Sequence, residues 1–270
     1  MSRMRVEWIC VKLALGFSRR HLRYLKIVLG VYLFHLISPR KGRYLRLGFF
    51  FLQTIDDYFD GDLFHPDVPG FIHQISAEFR AESFGGSDLA LIGEAFNASV
   101  PDEQKGVIRE KVLQLIAVME ADYWRVVDQE IWTAEQLEHQ HDQTFSLSLD
   151  LYCCVFEMGF TSAERTPAMI KGLGWCSTVR DFDEDFDRRL FNVPSSLLKP
   201  EDRHLTANEF KRRPVYELWK KNVNGLIRDD LTAMEAEVAQ IRSRPINKLL
   251  SVLSRDIHKY HKQEIMRGLV

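Results

Sequence analysis

The nine prolines of this chain fall between its apolar-periodic stretches and not within them. Pro39, Pro66, Pro69, Pro101, Pro167, Pro194, Pro200, Pro214 and Pro245, with the pair Gly85-Gly86, cut the sequence into segments that each carry a helical pattern. Proline lacks the N–H that a helix interior needs and clashes with the preceding turn, so each one marks a helix boundary. Between the breaks, residues 107–127 place Val112, Leu115, Ile116, Met119 and Tyr123 at i, i+3, i+4 spacing, the stripe of an amphipathic helix. Residues 215–241 and 246–266 repeat that pattern with Arg and Lys on the opposite faces. Residues 145–160 carry only Asp150 and Glu157 as charges, which predicts a helix buried on most sides. Strand-like alternation between turn pairs is missing. Eight or more helices follow, with Asp102 and either Ser162 or Thr166 as candidate caps, and the fold class is all-α.

A chain of 270 residues with 46% hydrophobic and 27% charged residues can bury a full core. No composition shift or flexible linker divides it, so residues 1–270 read as a single domain, with residues 1–29 a basic, partly apolar N-terminal extension. The formal net charge is only −2, yet residues 1–47 hold eleven Lys or Arg against the single acid Glu7. Such a basic end suits anionic headgroups or a phosphorylated substrate, and peripheral contact with a membrane surface is one expectation. Residues 25–37 are too short for the about 20 residues that a bilayer core requires. Lys12 interrupts the first apolar run and no small-residue cleavage site follows it, which argues against export. Cys10, Cys153, Cys154 and Cys176 have neither zinc spacing nor disulfide density, so a reducing cytoplasm is expected. No nucleic-acid partner is expected.

Chemistry concentrates in two aspartate clusters, Asp56-Asp57-Tyr58-Phe59-Asp60 and Arg180-Asp181-Phe182-Asp183-Glu184-Asp185. Packed carboxylates repel one another, and inside apolar helical sequence that repulsion costs free energy unless a cation offsets it. On a helix Asp56 and Asp60 are four apart and Asp57 and Asp60 three apart, so all three project from one side. Asp181 and Asp185 repeat the i, i+4 spacing. Oxygen-rich faces of this kind suit Mg²⁺, which binds through a few carboxylates, waters and substrate phosphates. Taken singly, each cluster also reads as a solvated acidic face or a surface ion-pair network.

These residues resemble the squalene and phytoene synthases, head-to-head prenyl transferases with a class I isoprenoid (terpenoid) synthase-like helical bundle around a central cavity. Residues 36–60 (LISPRKGRYLRLGFFFLQTIDDYFD) are similar to the family's approach to its first aspartate-rich motif, and residues 177–194 (STVRDFDEDFDRRLFNVP) to its second. Met119-Glu120-Ala121-Asp122 and residues 131–137 (IWTAEQL) resemble intervening family segments, so the likeness spans residues 30 to 200. It implies several Mg²⁺ ions held by Asp56, Asp57, Asp60, Asp181 and Asp185, gripping the diphosphate of a prenyl substrate. It further implies Arg180 on phosphate or bracing Asp181, with Gln53, Ser177, Tyr152, Phe51 and Tyr260 toward substrate. Phe49, Phe50 and Phe156 join the aromatic candidates for a lining that attracts an allylic cation, beside their ordinary reading as core.

The chain departs from the family's pattern where Gln53 replaces an arginine, where Gly174 and Ser177 replace Gln and Asn, and where Asn192-Val193-Pro194 replaces Tyr-Leu-Pro. Val155-Phe156 takes the place of a small Ala-Gly pair. Three functions therefore stay open: head-to-head joining of two farnesyl or geranylgeranyl diphosphates, class I terpene synthase action on a single prenyl diphosphate, and a non-catalytic relative acting as a binding or assembly factor. No G-x-G-x-x-G follows a strand, so a Rossmann nicotinamide site is absent, while use of NADPH by another route stays open.

Overall fold

The computed structural model describes residues 3–20 and 22–265. Among these the chain is all-α, 79% helical with no strand; one isolated bridge joins Ile131 and Phe191. Six of the nine prolines occupy the first or second position of a helix, so they open helices more than they end them. At that position the missing N–H has no intrahelical partner to lose and the fixed φ is already helical. The internal contacts divide the chain into two compact units, Met1–Glu120 and Ala121–Val270. The division falls within a helix, Lys105–Asp128, where composition leaves no mark.

The first unit contains α1 (Arg3–Arg20), α2 (Leu22–Ile37), α3 (Pro39–Phe59), α4 (Val68–Ala81), α5 (Asp88–Asn97) and the start of α6 (Lys105–Asp128). Its core is aromatic. Phe51 stacks on Phe79 with ring centroids 5.3 Å apart, and both meet Phe96. The stretch read as an extension is built into this core: Ile9, Cys10 and Phe17 of α1 are buried, and Phe17 packs on Phe50 of α3 at 5.9 Å. Buried Arg46 of α3 donates to Glu7 Oε1 of α1 at 2.7 Å and lies over the Tyr32 ring, so this charge enters the core only with its counter-ion. Residues 1, 2 and 21 of that stretch lie outside the described residues.

The second unit contains α7 (Ala134–Cys153), α8 (Ser162–Arg165), α9 (Pro167–Arg180), α10 (Phe182–Asp187), α11 (Ala207–Phe210), α12 (Pro214–Gln240) and α13 (Arg244–Tyr260). Helix α9 is apolar around most of its circumference because α7, α12 and α13 all pack on it. Thr133 opens α7 with a capping box, its hydroxyl accepting from Gln136 N and the Gln136 side chain accepting from Thr133 N. The Glu237 carboxylate of α12 accepts from Ala168 N at 2.7 Å and Met169 N at 3.0 Å, satisfying the first turn of α9 across the interface.

One expected helix ends early, and another changes its winding. The apolar run 145–160 leaves the helix after Cys153, because buried Asp150 accepts from both the backbone N and the hydroxyl of Ser162 at 2.6 Å, folding the chain back through Gly159 at φ +75°. The stretch 246–266 is helical to Tyr260 and continues as a π turn over His261–Ile265, residue 266 lying outside the described residues. All four cysteines are free and buried, and burial pushes the thiols of Cys10, Cys153 and Cys176 up to about 12, so these three are inert packing groups. Among the described residues no helix is long and apolar enough to cross a membrane.

Candidate metal-binding faces

The first aspartate cluster forms the C-terminal end of α3. Asp56 and Asp57 stand in its last turn and Asp60 is the C-cap, its N–H donating to Asp56 O at 2.8 Å. Carboxylates at a helix C-terminus face the negative end of the macrodipole, and no basic residue occupies this last turn. Gln53 is more than a lost charge: its amide donates to Asp56 Oδ2 at 3.0 Å and to Asp57 Oδ1 at 3.1 Å, which brings these two acids together. A neutral donor thus draws two carboxylates together without cancelling their charge. Asp57 is buried, Asp56 half-buried and Asp60 exposed. Phe51, one turn earlier, is fully buried between Phe79, Phe96 and Gly93, and Phe50 between Phe17 and Tyr32.

In the second unit the cluster is not carried by one helix. Helix α9 ends at Arg180, and Asp181, at φ −97° and ψ 8°, is both its C-cap and the N-cap of α10. The break follows from packing: Phe182 and Phe186 turn into a core with Phe210 and Trp219, which redirects the chain. Asp185 N still donates to Asp181 O at 2.9 Å, so the two acids remain one turn apart. The Arg180 guanidinium grips Asp181 through a two-pronged contact at 3.0 and 2.5 Å. Asn192 Nδ2 donates to Asp185 Oδ2 at 3.0 Å, and its Oδ1 accepts from Arg125 at 3.2 Å. Arg125, only 2% exposed, also donates to Asp122 Oδ1 and Phe191 O and lies 4.0 Å over the Trp132 ring. The other acids nearby have structural work: Asp183 pairs with Lys211, and Asp187 accepts from Ala207 N to cap α11.

The remaining expected residues lie in the same unit. The Ser177 hydroxyl donates to Gly174 O at 2.7 Å within its own turn. A Cβ on Gly174 would stand 2.6 Å from His141 Cβ, so this glycine is where α7 and α9 approach closely. Tyr152 is half-buried with its phenol pushed up to about 12 by burial, and Tyr260 and Phe156 pack against the core. Val155 and Phe156 sit in the turn after α7, not in a helix.

Reading residue types missed His141. It is buried, its Nε2 is 3.1 Å from the Thr178 hydroxyl, and burial with the Arg125 charge lowers it to about 4. It borders a cavity of about 550 Å³ with Glu138, Asp142, Lys171, Asp230 and Glu237. A second cavity of about 610 Å³ shares Glu138 and Trp175 with the first and runs to Trp219 and Asn224. The polar stretch of α7 around His141 gave no warning, because its partner Thr178 is on α9. Among the described residues no group of three or more His, Cys, Asp or Glu gathers as a ready metal cage. Mg²⁺ does not demand one, since one or two carboxylates per ion, completed by water and phosphate oxygens, is its usual protein share. Compared with known family models, curated proteins and solved structures, the chain matches none.

Proposed function

We propose that this protein is a Mg²⁺-dependent prenyl transferase that joins two prenyl diphosphates head to head with release of diphosphate. The observation that carries the reading is the Gln53 amide holding Asp56 and Asp57 side by side at the C-terminal end of α3. Two carboxylates held side by side at the negative end of a helix raise the local affinity for a divalent cation.

Asp56, Asp57 and Asp60 are the proposed Mg²⁺ holders of the first unit, and Asp181 and Asp185 those of the second. When bound, Mg²⁺ would neutralise the oxygens of a departing diphosphate, which are costly to charge in apolar surroundings. The chain's own contribution is orientation. Gln53 fixes two carboxylates of the first face, Arg180 fixes Asp181, and Asn192, itself held by Arg125, fixes Asp185. The half-exposed Arg180 retains reach toward a phosphate. Tyr152 stays a neutral phenol at neutral pH and offers an electron-rich ring without adding charge.

Incubating the purified protein with farnesyl or geranylgeranyl diphosphate and Mg²⁺, with and without NADPH, tests the proposal. A thirty- or forty-carbon hydrocarbon with diphosphate release is the expected result, and Asp57→Asn or Asp181→Asn abolishes it at unchanged helix content. A fifteen- or twenty-carbon product would transfer the reading to a single-substrate terpene synthase. Absence of diphosphate release under every condition overturns both.

A further inference from the structure

Helix α1 is apolar on two sides, and its surroundings within the first unit account for only one of them. Val6, Ile9, Cys10 and Phe17 are buried, and α1 packs on α2, α3 and α5. On its other side Met4, Trp8, Val11 and Leu15, spaced i, i+4, i+7 and i+11, are 80%, 60%, 41% and 57% exposed. That spacing makes a straight stripe along the helix. In α2, Leu29 and Leu33 form a second exposed pair one turn apart.

Beside the stripe lie the cations Lys12 and Arg5 and two acids, Asp88 and Glu7, each of which pairs with an arginine. Lys12 is exposed and its Nζ stands 5.6 Å from the centre of the Trp8 ring, while exposed Arg5 lies 3.6 Å from Asp88 of α5. Glu7, the only acid of residues 1–47, is taken by buried Arg46. Two copies meeting through this stripe would bring like charges together, which disfavours a self-association surface. A bilayer with anionic headgroups satisfies both features: the acyl boundary takes Met4, Trp8, Val11 and Leu15, and the phosphates take Lys12 and Arg5. Trp is suited to that boundary because its ring is apolar while its N–H stays wet. No described helix can cross the bilayer, so the contact is in the plane of the interface.

We infer that α1 is an interfacial membrane-docking helix, inserting its Met4-Trp8-Val11-Leu15 stripe into an anionic lipid surface with Lys12 among the headgroups. Only residues of the first unit carry this docking role, and none of them belongs to the enzymatic reading.

The test is sedimentation of the full chain with phosphatidylcholine vesicles with and without phosphatidylglycerol. Wild-type protein binds the anionic vesicles, and the Trp8→Ser/Leu15→Ser double variant binds them about tenfold more weakly or less still, since two large apolar contacts are lost. Both substitutions are at exposed positions, so circular dichroism should show unchanged helix content. Lys12→Glu, which touches no core group, and about 0.5 M salt should each weaken binding too. Equal binding by wild type and double variant overturns the inference. So does the lack of binding to anionic vesicles, and so does a wild-type dimer in solution that the double variant cannot form, if vesicles do not dissociate it.

Discussion

The side-chain amide of Asn192 stands between a carboxylate and a guanidinium, donating to Asp185 Oδ2 at 3.0 Å while accepting from Arg125 at 3.2 Å. A neutral group with one donor end and one acceptor end can serve both partners without cancelling either charge. Gln53 does related work in the first unit, donating to two carboxylates at once. In both units an amide orients aspartates and leaves their charge in place.

Asn192→Leu keeps the size and removes both contacts. Arg125 is 2% exposed, so a lost acceptor there is not replaced by water. Stability in urea should fall by about 1–3 kcal/mol. Asn192→Asp should recover the Arg125 contact but set a second carboxylate against Asp185, so its stability relative to wild type should improve as pH falls through the carboxylate range.

Gln53→Leu should leave helix content unchanged, because residue 53 is inside α3 and leucine is a good helix former. Its effect falls on Asp56 and Asp57, which lose their shared donor. The rise in melting temperature on adding Mg²⁺ with inorganic diphosphate should shrink in this variant. An undiminished Mg²⁺ response in this variant would remove Gln53 from the metal assignment.

His141 supplies a pH dependence with a definite sign. Its ordinary value of 6.5 is lowered to about 4 in the fold, by burial first and the Arg125 charge second. Between those values the unfolded chain binds a proton that the folded chain refuses, so unfolding is favoured as pH drops. The stabilisation is complete above 6.5 and is lost on acidification toward about 4, with a total on the order of 3 kcal/mol. His141→Gln, which retains a polar atom for Thr178, should flatten the urea midpoint over this window. A wild-type midpoint that does not change between neutral and mildly acid pH would contradict the burial argument.

What the sequence made legible was whatever rests on local periodicity. Proline positions and i, i+3, i+4 stripes announced α6, α12 and α13 because those helices satisfy their own backbones wherever they pack. The spacing of Asp56, Asp57 and Asp60 at the end of α3 was legible for the same reason. The break at Asp181 was not, since no Gly or Pro stands there and the cause is the burial of Phe182 and Phe186 against Phe210 and Trp219. Nor was the Arg125 contact to Asn192, whose ends are 67 residues apart. Gln53 was half legible: its spacing to Asp56 and Asp57 was visible, but its value as a neutral donor was hidden behind the missing arginine.

Gly174 shows the same limit and gives the sharpest steric test. Alanine in a helix interior is favoured over glycine by about 1 kcal/mol, so a Gly→Ala change should stabilise wherever space allows. At Gly174 there is none: the new Cβ would stand 2.6 Å from His141 Cβ and 2.8 Å from its Cγ, atoms close to the α7 backbone that cannot swing away. Separating α7 and α9 to relieve the clash disturbs the buried His141–Thr178 contact, and overpacking of this kind costs about 1–3 kcal/mol. Gly174→Ala should therefore destabilise despite its helix propensity. Gly225, inside α12, is the control: a Cβ added there meets no atom within 4 Å, and Gly225→Ala should stabilise by up to about 1 kcal/mol. Opposite shifts of the two urea midpoints are the expected outcome; two shifts of the same sign would mean that α7 and α9 are not in this close approach.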